Sequence, residues 1–424
     1  MDADTPKAPL ANKKILVVAF CTIFLDLLGF GLIIPIQPFY AKALGASAAI
    51  VTILSAVYSI MQFFFSPFWG ALSDKIGRKP IILFSILISA VGHVLFAMAS
   101  GLGMLFLARI VTGFGNANIG VAQAIIADVT TKENRSKGMA LIGIAFGFGF
   151  LLGPAIGGFL GTISPQMPFW VAGGLSLVNW VFALVFLQET RPKEKEVDGN
   201  GHQARKVFDW KVFAKSQQYL NVSNLLWMTL LYTVSFALME QAISLYIESV
   251  WVTDIMLTDD ERIKQAGLQT AYFLIAVGIT AIFVQGGAIG PLTKKFREIN
   301  LIRWGLAIVM VAMVLIPVLG DTQNYRLFLL SSVILAIGTG ISNPSRQAFL
   351  SQSVPDEEQG AILGLNQSMG ALGRALGPAV AGYIFEMQAT LPFYIAAVIL
   401  LLTLPMAWRL QPLSMSSSTE TTTK

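Results

Sequence analysis

Gly149-Phe-Leu-Leu-Gly153-Pro154-Ala-Ile-Gly157-Gly158 returns 224 residues later as Gly373-Arg-Ala-Leu-Gly377-Pro378-Ala-Val-Ala381-Gly382. Pro168-Phe169-Trp170 and Pro392-Phe393-Tyr394 keep the same spacing, and Gly70-Ala-Leu72 matches Gly290-Pro-Leu292 at 220. The chain is therefore two related halves. Each long copy lies in the fifth apolar run of its half, so the repeated unit holds six runs and both copies run in the same sense. A parallel repeat of this kind places a transport site near the bilayer midplane, between the halves.

The runs are long enough to cross a bilayer, which takes about 20 mostly apolar residues. They lie near 15–40, 48–72, 80–100, 103–128, 137–163, 168–188, 221–249, 267–292, 299–320, 326–350, 359–386 and 390–410. Only 12% of residues are charged and the mean hydropathy is +0.68, against about 25% charged in soluble domains. The expectation is an all-α integral membrane protein of twelve transmembrane helices in two pseudo-symmetric six-helix bundles. Residues 1–190 form the first bundle, 191–220 a polar linker, 221–410 the second bundle and 411–424 a tail. The first run reads as a retained span, since no cleavage site and polar mature segment follow it.

Twenty-two of the 29 Lys and Arg residues fall on the side that carries both termini, and four fall on the other. The positive-inside rule makes that side cytoplasmic and predicts a multi-pass protein of a cell membrane, expected to be the bacterial inner membrane. The net charge of +5 is spread over short loops, so no nucleic-acid surface is expected. One cysteine, Cys21, excludes an internal disulfide and a cysteine-built metal site. No Gly-x4-Gly-Lys-Ser/Thr loop occurs, which argues against ATP drive. No cofactor and no metal are expected. The partners expected are a small-molecule substrate, protons and the lipid bilayer, with the chain a monomer.

Between the second and third runs stands Gly70-Ala-Leu-Ser-Asp74-Lys-Ile-Gly77-Arg78-Lys79-Pro80. This stretch resembles the signature loop of the major facilitator superfamily, at the position where that family carries it. Arg109-Ile-Val-Thr-Gly113 resembles a second family motif, and the run around Gly153-Pro154 resembles the motif of proton-driven exporters. Leu25-Asp26-Leu-Leu-Gly29-Phe-Gly31-Leu-Ile-Ile-Pro35 is similar to the tetracycline-efflux and multidrug branch. The resemblance implies a gate. Asp74 would latch onto span eleven when the carrier opens outward, and Asp128 at the end of span four would join Arg78. Asp74 and Arg78 are also spaced to pair along a helix, while Gly70 and Gly77 permit close approach or unusual backbone angles. The resemblance further implies that the halves slide at Gly153-Pro154 and Gly377-Pro378. The plain alternatives are a solvated loop and close helix packing. The second half has Lys294 where Asp74 stands, so the latch is asymmetric.

Ionisable groups inside spans are costly and point to function. Asp26 lies roughly 16 Å from the inner face and Arg109 roughly 21 Å, from helical rise and core thickness, so the two are expected to pair. A carboxylate whose partner changes with conformation can take up and release a proton. The alternative is a static ion pair holding spans together. Glu240 is the second proton candidate, or else a residue snorkelling to the interface. Arg346 and Arg374, if they face the substrate, favour an anionic group. Gln62, His93, Asn116, Gln123, Asn343, Gln347, Asn366 and Gln367 supply polar lining, although a lone histidine such as His93 is more often a packing residue.

Tetracycline exporters also carry an acidic residue in span three, a histidine in span eight and an acidic residue in span nine. Here Gly92, Ala281 and Val309 stand at those positions, which removes most of a metal–tetracycline site. The leading expectation is a proton-coupled antiporter, not an enzyme, that exports small amphipathic compounds or drugs by alternating access. The alternatives are a transporter of a defined anionic metabolite and, in another class, a non-transporting membrane receptor.

Overall fold

A computed structural model of the chain describes residues 12–130, 135–190, 214, 216–219, 221–253, 256–354 and 356–412. Most of the linker assigned to 191–220 and the end of the tail from 413 lie outside the described residues. The helices are α1 (Asn12–Ile33), α2 (Gln37–Ala43), α3 (Ala48–Ile76), α4 (Arg78–Ala97), α5 (Leu102–Gly115), α6 (Ile119–Asp128), α7 (Arg135–Ile163) and α8 (Met167–Phe186) in the first half. The second half holds α9 (Val222–Trp251), α10 (Asp259–Phe283), a π-helical turn (Val284–Ala288), α11 (Ile289–Lys295), α12 (Glu298–Gly320), α13 (Tyr325–Gln352), α14 (Asp356–Met387) and α15 (Leu391–Trp408). No strand occurs among the described residues.

Among the described residues these helices line up as twelve rods when α1–α2, α5–α6 and α10–α11 are each taken as one interrupted crossing. Ten of the rods are long and apolar enough by themselves to cross a membrane. α7 contributes a shorter apolar stretch, Gly147–Ile163. α14 spans 32 residues but is diluted by Asn366, Gln367 and Arg374. The eighth crossing begins at Asp259, ahead of the boundary expected near 267, because Thr258 and Glu261 form a capping box there. Apolar side chains such as Phe159, Val185, Val398 and Leu402 cover the outside of the bundles, as a lipid-facing surface requires.

Close packing inside each half explains the Gly/Pro runs. A Cβ at Gly153 would meet the backbone of Gly31 at 2.6 Å, and one at Gly157 would strike the Leu32 carbonyl. The run thus lets α7 lie directly on α1, within one half. Gly373 and Gly377 face Thr233 and Ala237 of α9 in the same way. Gly153-Pro154 and Gly377-Pro378 are therefore intra-half packing surfaces, which corrects the expectation that the halves slide on them. The junction falls on the next turn. A Cβ at Gly158 would strike Ala271 of α10, and one at Gly382 would strike Ala48 and Thr52 of α3. These two glycines are equivalent in the repeat, and each sits where one half touches the other.

The halves meet toward the face remote from the termini. There Lys42 pairs with Glu248 at 2.7 Å. The Glu386 carboxylate accepts from the Ala49 N–H at 2.9 Å, at the positive N-terminal end of α3. Thr52 Oγ1 accepts from the Gly382 N–H at 3.0 Å. These three contacts close the far face.

Candidate transport site

The signature loop is tied down within the first half. Arg78 pairs with Asp74 at 2.6 Å and with Asp128 at 3.1 Å, and its Nη1 donates to Ser73 Oγ. Glu189 accepts from the backbone N–H groups of Arg78 and Lys79 at 2.8 and 3.1 Å, capping the start of α4. Gly77 has a φ of +118° and lies so close to Glu189 that a Cβ would collide with it, so glycine is required there on both counts. Gly70 departs from expectation. It is helical, and a Cβ there would meet nothing within 4 Å. Asp74 is half exposed and bonds only Arg78. The Arg78–Asp128 pair forms as expected.

Inside the first half, a hydrogen-bonded chain crosses five helices. Gly115 is its mechanical origin. A Cβ there would lie 2.7 Å from the Ser89 nitrogen, so its absence lets the fourth crossing sink onto α4. The helix then breaks at residues 116–118, and both asparagines of the break find partners. Asn116 Oδ1 accepts from Ser89 Oγ, and its Nδ2 donates to Tyr58 Oη at 3.2 Å. Gln62 donates to the same Tyr58 oxygen at 3.0 Å and to the Asn116 carbonyl at 3.1 Å. Asn118 Nδ2 donates to Ser85 Oγ at 2.9 Å and to Asp26 Oδ2 at 3.2 Å. Asn179 of α8 donates to Asp26 Oδ1 at 3.1 Å and to the Thr22 carbonyl at 3.0 Å. Asp26 is thus held by two neutral amides. Two acceptors beside it, Thr22 Oγ1 and Asn179 Oδ1, are buried and unpartnered.

Asp26 and Arg109 do not pair, contrary to expectation. Arg109 is 3% exposed. Its guanidinium lies 5.3 Å from the Tyr58 ring and 5.0 Å from the Phe96 ring, a cation–π setting. Its Nε is buried without a partner. Asp26 is engaged by Asn118 and Asn179, whereas Arg109 lies against Tyr58 and Phe96. His93 is also displaced from the expected lining. It is buried between α4 and α8 with Nδ1 3.3 Å from Ser176 Oγ, as a packing histidine.

The second half carries a different set. Arg346 lies 4.0 Å over the Tyr232 ring and donates to Asn343 Oδ1. Arg374 is exposed in mid-helix, within electrostatic reach of Glu240 on α9 and of Tyr58 in the other half. It therefore stands between the halves. Gln347 and Gln367 are exposed, Asn366 is buried with Oδ1 unpartnered, and Gln123 is partly buried on α6. Gly92 is packed so closely on Thr112 that any side chain would strike its backbone, and Val309 is fully buried. Neither position has room for a carboxylate. Among the described residues no cluster of His, Cys, Asp and Glu could hold a metal ion.

Tyr58, Ser85, Ser89, Asn118, Asn179, Tyr232 and Glu189 were not singled out in the sequence. The available signal was weak: a lone amide or hydroxyl in an apolar run, and for Asn118 its place two residues after Asn116.

Two related bundles of apolar crossings with ionisable groups buried inside them fit a membrane carrier of the secondary-transporter class. The Major Facilitator Superfamily model matches residues 19–378 and 265–423, and the chain belongs to that family. It is 31% identical to the tetracycline resistance protein, class H, of Pasteurella multocida, over 88% of this chain and 90% of that one. It is 28% identical to the quinolone resistance protein NorA of Staphylococcus aureus (strain COL), over 91% and 93%. Among solved structures, the human organic anion transporter MFSD10 superposes with a TM-score of 0.67 at 22% identity, covering 95% of this chain and 100% of that one. The inward-facing, unoccupied bacterial homologue of the lysosomal transporter Spinster gives 0.72 at 14%, covering 95% and 97%.

Proposed function

We propose that the chain exports small amphipathic compounds in exchange for protons, with Asp26 as the proton carrier. The single observation that carries this reading is the setting of Asp26, a membrane-buried carboxylate with amide donors and no cation on it. A carboxylate locked to an arginine resists protonation. One held by neutral amides can take a proton if an acceptor is at hand for the new O–H. Turning the Asn179 amide over presents its free Oδ1, and Thr22 Oγ1 is the second acceptor. The hydrogen-bonded chain continues from Asp26 through Asn118, Ser85, Ser89 and Asn116 to Tyr58, which borders Arg109 and Arg374. The proton site is thereby linked to Tyr58 and the arginines beside it. The tetracycline and quinolone resistance relatives support drug-like cargo.

In this reading the closed far face is extracellular and the terminal face cytoplasmic, in keeping with the excess of Lys and Arg there. Rocking of the halves about the junctions at Gly158 and Gly382 exchanges the openings, and Asp74 then engages the opposite half. Glu240 on α9 and Arg374 on the neighbouring α14 lie within electrostatic reach of each other and respond to the same motion. The working unit is one chain of two bundles, 1–190 and 221–410, joined by the segment 191–220, in the bacterial inner membrane. The test is accumulation of a fluorescent amphipathic dye in proteoliposomes under an imposed pH gradient. Accumulation that collapses with a protonophore is expected; accumulation indifferent to the gradient overturns proton coupling.

A further inference from the structure

Three guanidinium groups, Arg109, Arg346 and Arg374, lie inside the crossings, with two carboxylates, Asp26 and Glu240. Arg374 has Glu240 within electrostatic reach. Asp26 is satisfied by amides. Arg109 and Arg346 therefore stand without a carboxylate within 4 Å among the described residues. Arg346 is the more deficient. It is 7% exposed, and both Nε and Nη1 are buried with no hydrogen-bond partner. The Tyr232 ring lies 4.0 Å beneath it, and its buried hydroxyl sits beside Asn343. A buried guanidinium cannot shed its charge, so its free N–H groups and its positive charge both call for an anion. Phe236, stacked on Tyr232 with ring centroids 6.3 Å apart and 11° between planes, extends the aromatic platform.

We propose that Arg346, with Asn343 orienting it and Tyr232 beneath it, is the subsite for the carboxylate of an amphipathic, aromatic substrate. The guanidinium supplies charge-assisted donors, and the Tyr232–Phe236 face supports the ring system. The subsite rests on the export reading above and narrows its cargo to organic acids or zwitterions.

The test uses the full-length chain purified in detergent and three probe pairs: ciprofloxacin, 1-naphthoic acid and indole-3-acetic acid, each against its methyl ester. Dissociation constants are read from ligand-induced thermal stabilisation. The wild type is expected to bind at least one acid roughly tenfold tighter than its ester, the size of a hydrogen bond to a charged group. Arg346→Gln should bring that ratio to about one while changing ester affinity less than about twofold. Arg346→Lys keeps the charge but loses the planar fork; it should give an intermediate ratio and is the variant read if the glutamine does not fold. An unchanged acid-to-ester ratio in Arg346→Gln overturns the subsite. Binding of esters but not acids by the wild type overturns it while leaving export intact. No binding by any pair, together with no gradient-driven dye transport, overturns both.

Discussion

The two halves share a scaffold and divide the chemistry. In both, the crossing of the fourth rod on the third is tight. Gly115 packs against Ser85 and Ser89 in the first half, and Gly338 packs against Gly305 and Val309 in the second. The serines carry a polar chain to Asp26; the valine carries nothing. The first half thus holds a carboxylate whose ligands are complete and neutral. The second holds an arginine with two of its nitrogens unpartnered. The repeat has kept the backbone contacts, which are constrained by shape, and let the polar side chains diverge. A proton carrier needs a group that can be charged or neutral, whereas an anion subsite needs one that is always charged.

The largest effect that can sharpen this comparison is Asp26→Asn. The amide cannot cycle a proton, so gradient-driven transport should fall about 100-fold or more, to background, as loss of an obligatory proton-transfer group implies. The folded protein should survive with a stability loss of about 1–3 kcal/mol, because one amide then faces another until Asn179 turns over. The equivalent loss of transport in Glu240→Gln with Asp26→Asn active would break the assignment. Next in size is Gly382→Val. Its side chain would strike Ala48 and Thr52 of α3, so the far face cannot close and turnover should drop at least about tenfold, while Gly373→Ala, a packing change within one half, acts on stability instead. Alternating labelling of cysteines at either face during transport distinguishes the two.

Asn179→Leu should uncouple rather than block. It removes two donors and the waiting acceptor, and substrate counterflow should outlast pH-driven transport by roughly threefold or more, in line with a lost hydrogen bond to a charged group. The smallest effect is expected for Glu386→Gln. Losing the charge at the start of α3 weakens closure of the far face by about 0.3–1 kcal/mol. Distance distributions between spin labels at Ser100→Cys and Gln388→Cys should shift modestly toward the longer population.

Depth along a crossing could be read from the sequence; direction around the helix could not. Asp26 and Arg109 were expected to pair, yet one is held by Asn118 and Asn179 and the other lies against Tyr58 and Phe96. The same blindness put His93 on the cleft and assigned the inter-half junction to Gly153 and Gly377 instead of Gly158 and Gly382, one turn on. What was legible depended on dense local patterns. The repeat pointed to the two halves, and the loop from Gly70 to Pro80 pointed to the Arg78–Asp128 pair. Gln62 and Asn116 were found because they are conspicuous in apolar runs. Asn118 and Asn179 were missed because a helix break and a distant crossing bring them to Asp26, and neither is encoded nearby.

The central claim is that the first half carries the proton. Its most direct test is proton release when a bound substrate is added to purified protein in weakly buffered detergent solution, compared between wild type and Asp26→Asn. The account expects release from the wild type, none from Asp26→Asn, and release retained in Arg346→Gln at saturating substrate. Release from Asp26→Asn equal to that of the wild type would contradict it and move the proton to Glu240.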